Sequence, residues 1–278
     1  RIRTDVVNVF ASVKDKKGHV ISNLAAADFE ITEDGFPQKI GYYSLTHDLP
    51  LSVGLLIDTG SWCWIQAIDA EKEAAEAFVK EAIDPSDSGF VMVYDRTEEM
   101  KQDMTDDPVL LLHGIQGAEA IPRSGNRTHC LFDAVVHAAR YLLENGRGRR
   151  VLVLFTEGNE GGSSRTPERA LRVAQDADVT IYTVMISSRV GSSIPLVRGG
   201  SAPAALSEGT GGEIINVHNA QAAAAAARQI KTELRLQYFL GYTPSNRSED
   251  GSFRRIQVSV RRRNCKVQAR KGYFAPIR

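Results

Sequence analysis

The hydrophobic pattern changes character twice along the chain. Val6 to Val13 is rich in β-formers and partly alternates, and Lys14-Asp15-Lys16-Lys17-Gly18 then turns. Phe29 to Glu33 alternates, Asp34-Gly35 is a strong hairpin signal, and Gln38 to Leu45 supplies the return strand. From Leu51 the pattern becomes one of continuous apolar runs followed by amphipathic stretches. Leu51 to Ile57 is apolar without alternation, as a strand buried on both faces must be, and it stops at Asp58-Thr59-Gly60-Ser61. Ile65, Ile68, Ala74, Ala75, Phe78 and Val79 then recur on one helical face, with Glu and Lys between them.

The same alternation repeats. Strands are predicted at Gly89 to Tyr94, Val151 to Phe155, Val179 to Ile186 and Glu213 to Val217. Helices are predicted at Pro108 to Ile115, Leu131 to Leu143, Pro167 to Ala177, Ala202 to Glu208, and from an Asn219 cap to about Leu234. Strands alternating with helices give an α/β fold with a mostly parallel sheet covered on both faces. After Leu236 the chain is β again, at Gln237 to Tyr242, Phe253 to Val260 and Lys266 to Arg270. Neither β flank has enough strands for a core of its own. The expected organisation is therefore a β-sandwich built from residues 1–48 and 236–278 together, with an α/β domain, 49–235, inserted into it.

Composition narrows the function. The 278 residues carry 34 basic and 34 acidic side chains, so no global charge draws the chain to nucleic acid or an anionic membrane. Arg147 to Arg150 and Arg261 to Arg263 are basic runs that nucleic acid could meet, but alternation within a strand explains the second as a solvated face. No apolar window is long enough to span a bilayer. Three cysteines, Cys63, Cys130 and Cys265, are too few for a disulfide scaffold.

Candidate chemistry gathers where the apolar strands end, since ligands of open α/β sheets bind beyond the carboxyl ends of the strands. Asp58-Thr59-Gly60-Ser61 also matches the aspartic peptidase motif, but that chemistry needs two carboxylates sharing a proton and no second copy of the motif exists. Cys63, His129 and Cys130 could meet at the same rim, as soft ligands for Zn²⁺, a Cys pair, or the elements of a hydrolase. Trp62 and Trp64 flank the first loop and, with His129, form a candidate partner-binding rim. Gly191 to Ala202 reads as a mobile loop.

Several of these stretches resemble the von Willebrand factor type A family, in particular the related proteins of Acidobacteria. They are Leu24 to Gly35, Leu51 to Gly60, Val151 to Gly158, Leu236 to Pro244 and Arg270 to Pro276. The resemblance implies a Rossmann-like domain with a divalent cation at the strand tips. It implies binding of a protein partner through that upper face, without catalysis, in a secreted, periplasmic or envelope-associated setting. The family's cation is held by three loops, and all three depart from the pattern here. Asp-x-Ser-x-Ser is replaced by Asp58-Thr59-Gly60-Ser61-Trp62, an extra residue in Thr128-His129-Cys130 puts either Thr128 or His129 in the second loop's ligand position, and the third loop's Asp is Glu157. Asp58, Ser61, Thr128 and Glu157 are thus the expected ligands of a degenerate site holding Mg²⁺ weakly or not at all, because Mg²⁺ demands near-ideal octahedral oxygen geometry.

Overall fold

The computed structural model describes residues 6–46, 49–60, 65–119, 129–186 and 202–277. Four strands come first: β1 (Val7–Lys14), β2 (Phe29–Glu33), β3 (Phe36–Gln38) and β4 (Ile40–Thr46). Then follow β5 (Leu51–Asp58), α1 (Ile65–Ala82), β6 (Ser88–Tyr94), β7 (Glu98–Thr105), α2 (Pro108–Gln116), α3 (Leu131–Asn145), β8 (Arg149–Thr156), α4 (Pro167–Asp176), β9 (Val179–Ile186), α5 (Ala202–Thr210), β10 (Ile214–Val217) and α6 (Ala220–Arg235). The chain closes with β11 (Gln237–Tyr242), β12 (Phe253–Val260), β13 (Lys266–Ala269) and β14 (Gly272–Phe274). It divides into two compact units, Arg1–Leu49 with Glu208–Gly212 and Thr232–Arg278, and Pro50–Ser207 with Glu213–Lys231.

The larger unit is built on a six-stranded sheet ordered β10-β9-β8-β5-β6-β7. Five strands run parallel, and β7 pairs antiparallel with β6 at one edge. All eight residues of β5 are buried, as are all eight of β9, which is what an uninterrupted apolar run requires of a strand covered on both faces. Alternate residues face opposite layers. Leu56, Met92, Leu152 and Leu154 share a core with α3 and α4, through Val135, Leu142 and Val173. Phe155 meets Phe78 of α1, ring centroids 6.4 Å apart. Asn219 caps α6 as its position predicts, its Oδ1 accepting from the Ala222 amide at 2.8 Å. β7 was not legible, because Glu98–Thr105 is polar and only half-buried at the sheet's edge.

β5 lies between β6 and β8. The chain leaves β5 toward β6 and β7, then returns to the other side of β5 with β8. The topological switch point therefore falls between the ends of β5 and β8, where Asp58 and Thr156 sit.

The smaller unit contains two four-stranded sheets, β13-β1-β11-β4 and β14-β12-β2-β3. Val9, Ala11 and Val13 of β1 and Tyr238 and Leu240 of β11 share one core with Phe29 and Ile31 of β2 and Ile256 of β12. Two tyrosine hydroxyls and a carboxylate link the strands of this core. The Tyr238 hydroxyl donates to the Ile21 carbonyl at 2.8 Å and accepts from the Leu24 amide at 3.1 Å. Glu33 Oε2 accepts from the hydroxyls of Tyr242 at 2.7 Å and Tyr273 at 3.1 Å.

Two expectations need correction. The hairpin turn is where Asp34-Gly35 places it, both residues at positive φ (50° and 86°), but its return strand is only Phe36–Gln38. At Lys39 the chain leaves that sheet, and Ile40–Thr46 pairs with β11 in the other one. A single apolar stretch thus serves both sheets, which alternation alone does not reveal. Arg261 to Arg263 follow β12 in a turn instead of lying in a strand, with Arg261 Nε 3.0 Å from Glu30. The other basic run is partly used internally: Arg149 is buried, and Arg150 donates to the carbonyls of Leu142 and Ala177.

The strand partners dictate a folding dependence. β1 pairs with β11 and β13, β2 with β12, and β4 with β11, so within residues 1–49 the named strands pair only as the β2–β3 hairpin. An isolated two-stranded hairpin is marginal in water. A fragment of residues 1–49 is expected to give a random-coil circular dichroism spectrum. A folded β spectrum from it would show that the flank needs no C-terminal strands.

Candidate functional site

Asp58 ends β5 and is buried, so its charge must be met within the protein. Three donors meet it. His129 Nδ1 lies 2.8 Å from Oδ1, the Gly60 amide donates to the same oxygen at 3.1 Å, and the Thr156 hydroxyl donates to Oδ2 at 2.8 Å. The Gly60 contact is a local turn of the kind that Asp side chains nucleate. Thr156 is the last residue of β8, so the switch point itself is bridged by a hydrogen bond.

His129 is brought to Asp58 by its backbone. It immediately precedes Cys130, the residue at the N-terminal boundary of α3. The Cys130 amide donates to the Asp95 carbonyl at 2.7 Å, and the His129 carbonyl accepts from the Gly162 amide at 3.0 Å. The loop after β8 is braced in turn. Glu160 Oε1 accepts from the amides of Gly161, Gly162 and Ser163, and Asp133 accepts from the amides of Ser164 and Arg165. The imidazole is nearly inaccessible, with 5% of its side chain exposed. Burial alone would lower its pKa, but the Asp58 hydrogen bond and the negative charges of Asp58, Asp95 and Glu160 outweigh it and hold the pKa above the ordinary value. Since an ionised carboxylate only accepts, the ring nitrogen is the donor in this contact.

A second carboxyl lies nearby that sequence reasoning read as part of a solvated face. Glu71 is fully buried on α1, and among the described residues neither of its oxygens has a hydrogen-bond partner. Its pKa is raised well above the ordinary value, first by burial and then by the charges of Asp58 and Glu157. The signal was present in the spacing. Glu71 falls three residues after Ile68 and four before Ala75, on the apolar stripe of α1. Asp95, just past β6, and Glu160 are the other acidic residues that sequence reasoning passed over.

Of the expected cation ligands, Asp58 and Glu157 are described and stand at the tips of the adjacent strands β5 and β8. Ser61 and Thr128 lie outside the described residues, as do Cys63 and the expected rim residues Trp62 and Trp64. Among the described residues no group of three or more His, Cys, Asp or Glu side chains is arranged to hold a metal ion. The Asp58 oxygen that would ligate the family's cation already has a ring nitrogen, His129 Nδ1, at hydrogen-bond distance. Of the expected soft-ligand cluster, His129 and Cys130 are described: His129 Nδ1 is 2.8 Å from Asp58, and the Cys130 sulfur is 3.9 Å from Glu98. The Cys130 thiol is buried, and burial with the charges of Glu98 and Asp133 pushes its pKa up to about 12.

Two outcomes follow. A carboxyl whose folded pKa exceeds its ordinary 4.5 opposes folding increasingly as pH rises from that value toward the folded one. Glu71→Gln is therefore expected to raise the melting temperature at pH 8 by several degrees, or about 1 kcal/mol or more, with the gain vanishing near pH 4. Equal effects at both pH values would mean that the folded pKa is not raised, and a loss of stability confined to pH 8 that Glu71 is ionised and paired. For Cys130, native alkylation with iodoacetamide at pH 8 is expected to leave the thiol unmodified, and denaturation to expose it, when peptides are mapped by mass spectrometry.

Comparison with known proteins agrees with this geometry. Residues 91–208 match the von Willebrand factor type A domain family, a segment running from β6 into α5. No curated protein matches the sequence. Among solved structures, an aerotolerance-related membrane protein from Bacteroides fragilis is 14% identical with a TM-score of 0.53, over 66% of this chain and 98% of that one. BatB from Bacteroides thetaiotaomicron is 15% identical with a TM-score of 0.51, again over 66% of this chain and 98% of that one. A von Willebrand factor type A protein from Catenulispora acidiphila is 11% identical with a TM-score of 0.53, and the match takes in 100% of this chain and 75% of that one. At such identities the likeness is one of fold, and it agrees with the match of residues 91–208 to the von Willebrand factor type A domain.

Proposed function

We propose that the α/β unit is a non-catalytic interaction module that binds a protein partner through the face formed by the ends of β5, β6 and β8. The observation that carries this reading is the way the Asp58 centre is built. Its carboxylate is buried and saturated by fixed donors from two other chain segments, so the loops around it are held in one arrangement without a substrate. A rigid scaffold with loops at its rim is how this class of fold presents a binding surface. The β flanks, residues 1–48 and 236–278, are read as a separate sandwich domain. The setting is secreted, periplasmic or envelope-associated; the similar Bacteroides fragilis structure is of a membrane protein. No helix among the described residues is long and apolar enough to cross a membrane.

The alternative is a hydrolase. The Asp58–His129 pair has the form of the orienting half of a nucleophilic triad. Two facts favour the interaction reading. His129 is nearly inaccessible, and Cys130, the described thiol next to it in the chain, is held protonated far above neutral pH.

The rim offers the test. Asn159 is exposed on the loop after β8, and Glu144 is exposed near the C-terminus of α3. Photo-crosslinking at the two positions in envelope and culture fractions is expected to join a protein to the rim position alone. Asn159→Arg should reduce its capture about tenfold or more, an ordinary cost at an interface centre, while Glu144→Arg should not. Covalent labelling of the native protein by a serine- or cysteine-hydrolase probe, lost in His129→Ala, would instead favour the hydrolase.

A further inference from the structure

The three departures of the cation loops look independent in the sequence, but two of them are one arrangement in space. A Cβ built on Gly60 would meet His129 Cε1 and Nδ1 at 2.8 Å and Asp95 Oδ1 at 3.0 Å. Real Cβ atoms do not approach so closely, so the imidazole occupies the space in which a side chain at position 60 would begin. The hydroxyl lost at Gly60 and the residue gained at His129 are thus two halves of a single exchange.

The ring's surroundings explain what it does there. Asp58 Oδ1 is 2.8 Å from Nδ1, Asp95 Oδ1 is close enough to touch a side chain at 60, and Glu157 and Glu160 lie on the loop beyond β8. Glu71 lies near Asp58 and Glu157 from the side of α1. This is a concentration of carboxyl groups of the kind that calls for a cation. His129 is anchored in it through the peptide group that it shares with Cys130, whose N–H donates to the Asp95 carbonyl and whose carbonyl accepts from the Gly162 amide.

We propose that the His129 side chain is a built-in replacement for the divalent cation of this fold. It holds the Asp58 centre together by hydrogen bonding to the carboxylate from the space beside Gly60, and the domain works without metal. The exchange has a definite consequence. A bound ion with an open position can accept a carboxylate from a partner as its last ligand, whereas a hydrogen-bonded and buried imidazole offers no coordination position. The partner is therefore recognised by the rim side chains and loop backbone, and its binding is insensitive to chelators. The metal part of this inference does not depend on what partner binds.

Calorimetry with MgCl2 on the intact protein tests it. The wild type is expected to bind Mg²⁺ no tighter than about millimolar. Gly60→Ser combined with His129→Ala restores the hydroxyl position and removes the ring. It is expected to gain at least about tenfold in Mg²⁺ affinity, which Asp58→Ala then abolishes. A folded double variant that binds Mg²⁺ no better than the wild type overturns the proposal, as does micromolar Mg²⁺ affinity in the wild type that is lost in Asp58→Ala. Should the double variant not fold, the imidazole signals of the wild type decide by nuclear magnetic resonance. His129 Nδ1–H is expected as a carboxylate-bonded downfield proton unchanged by excess Mg²⁺, and its displacement by the ion would refute the replacement.

Discussion

A carboxylate buried at the end of a central strand is the constraint around which the α/β unit is arranged. Leaving its oxygens unmatched would cost about 1–3 kcal/mol for a neutral group, and more for a charged one. The three donors that prevent this come from the Gly60 turn, from the end of β8 and from the segment that opens α3. Segments separated by 71 and 98 residues in sequence must therefore converge on one side chain. The switch point of the sheet brings them there, and the carboxylate then holds them in place.

Much of this was readable before any coordinates. The parallel strands were legible because complete burial forces an uninterrupted apolar run, and Leu51 to Ile57 and Val179 to Ile186 have no other simple explanation. The helix start at Asn219 was legible because capping is local chemistry. Asp58 was legible as the carboxylate at the end of the first such run. What failed to show was whatever depends on three-dimensional neighbours. The polar β7 is a strand only because β6 offers it an edge. The crossing at Lys39 depends on which sheet receives Ile40–Thr46. Glu71 looked like ordinary helix polarity until its burial was known.

His129 illustrates the difference most clearly. In the sequence it is an extra residue that shifts the register of a familiar loop, and it invites a guess between two ligand assignments. In the structure it is a ring with a definite job, because it fills the volume left by the missing side chain at Gly60. The two departures, read as separate losses, suggested a weakened ion site. Together they describe a carboxylate met by a ring nitrogen that stands where a side chain at position 60 would begin.

The pairing of β1 with β11 carries a consequence in time. Val7 registers with Tyr242, so the first strand of the smaller unit is synthesised long before the strand that completes it. At ribosomal speeds of about 5–20 residues per second the interval is roughly ten to fifty seconds. Most of the segments of the α/β unit, from β5 to β9, emerge within that interval and can collapse around their own sheet. Throughout it β1 and β4 wait with unpaired edges, and such edges are templates for the wrong partner. The order of assembly is thereby written into the chain: the sheet that carries the site closes first, and the sandwich that frames it in sequence closes last.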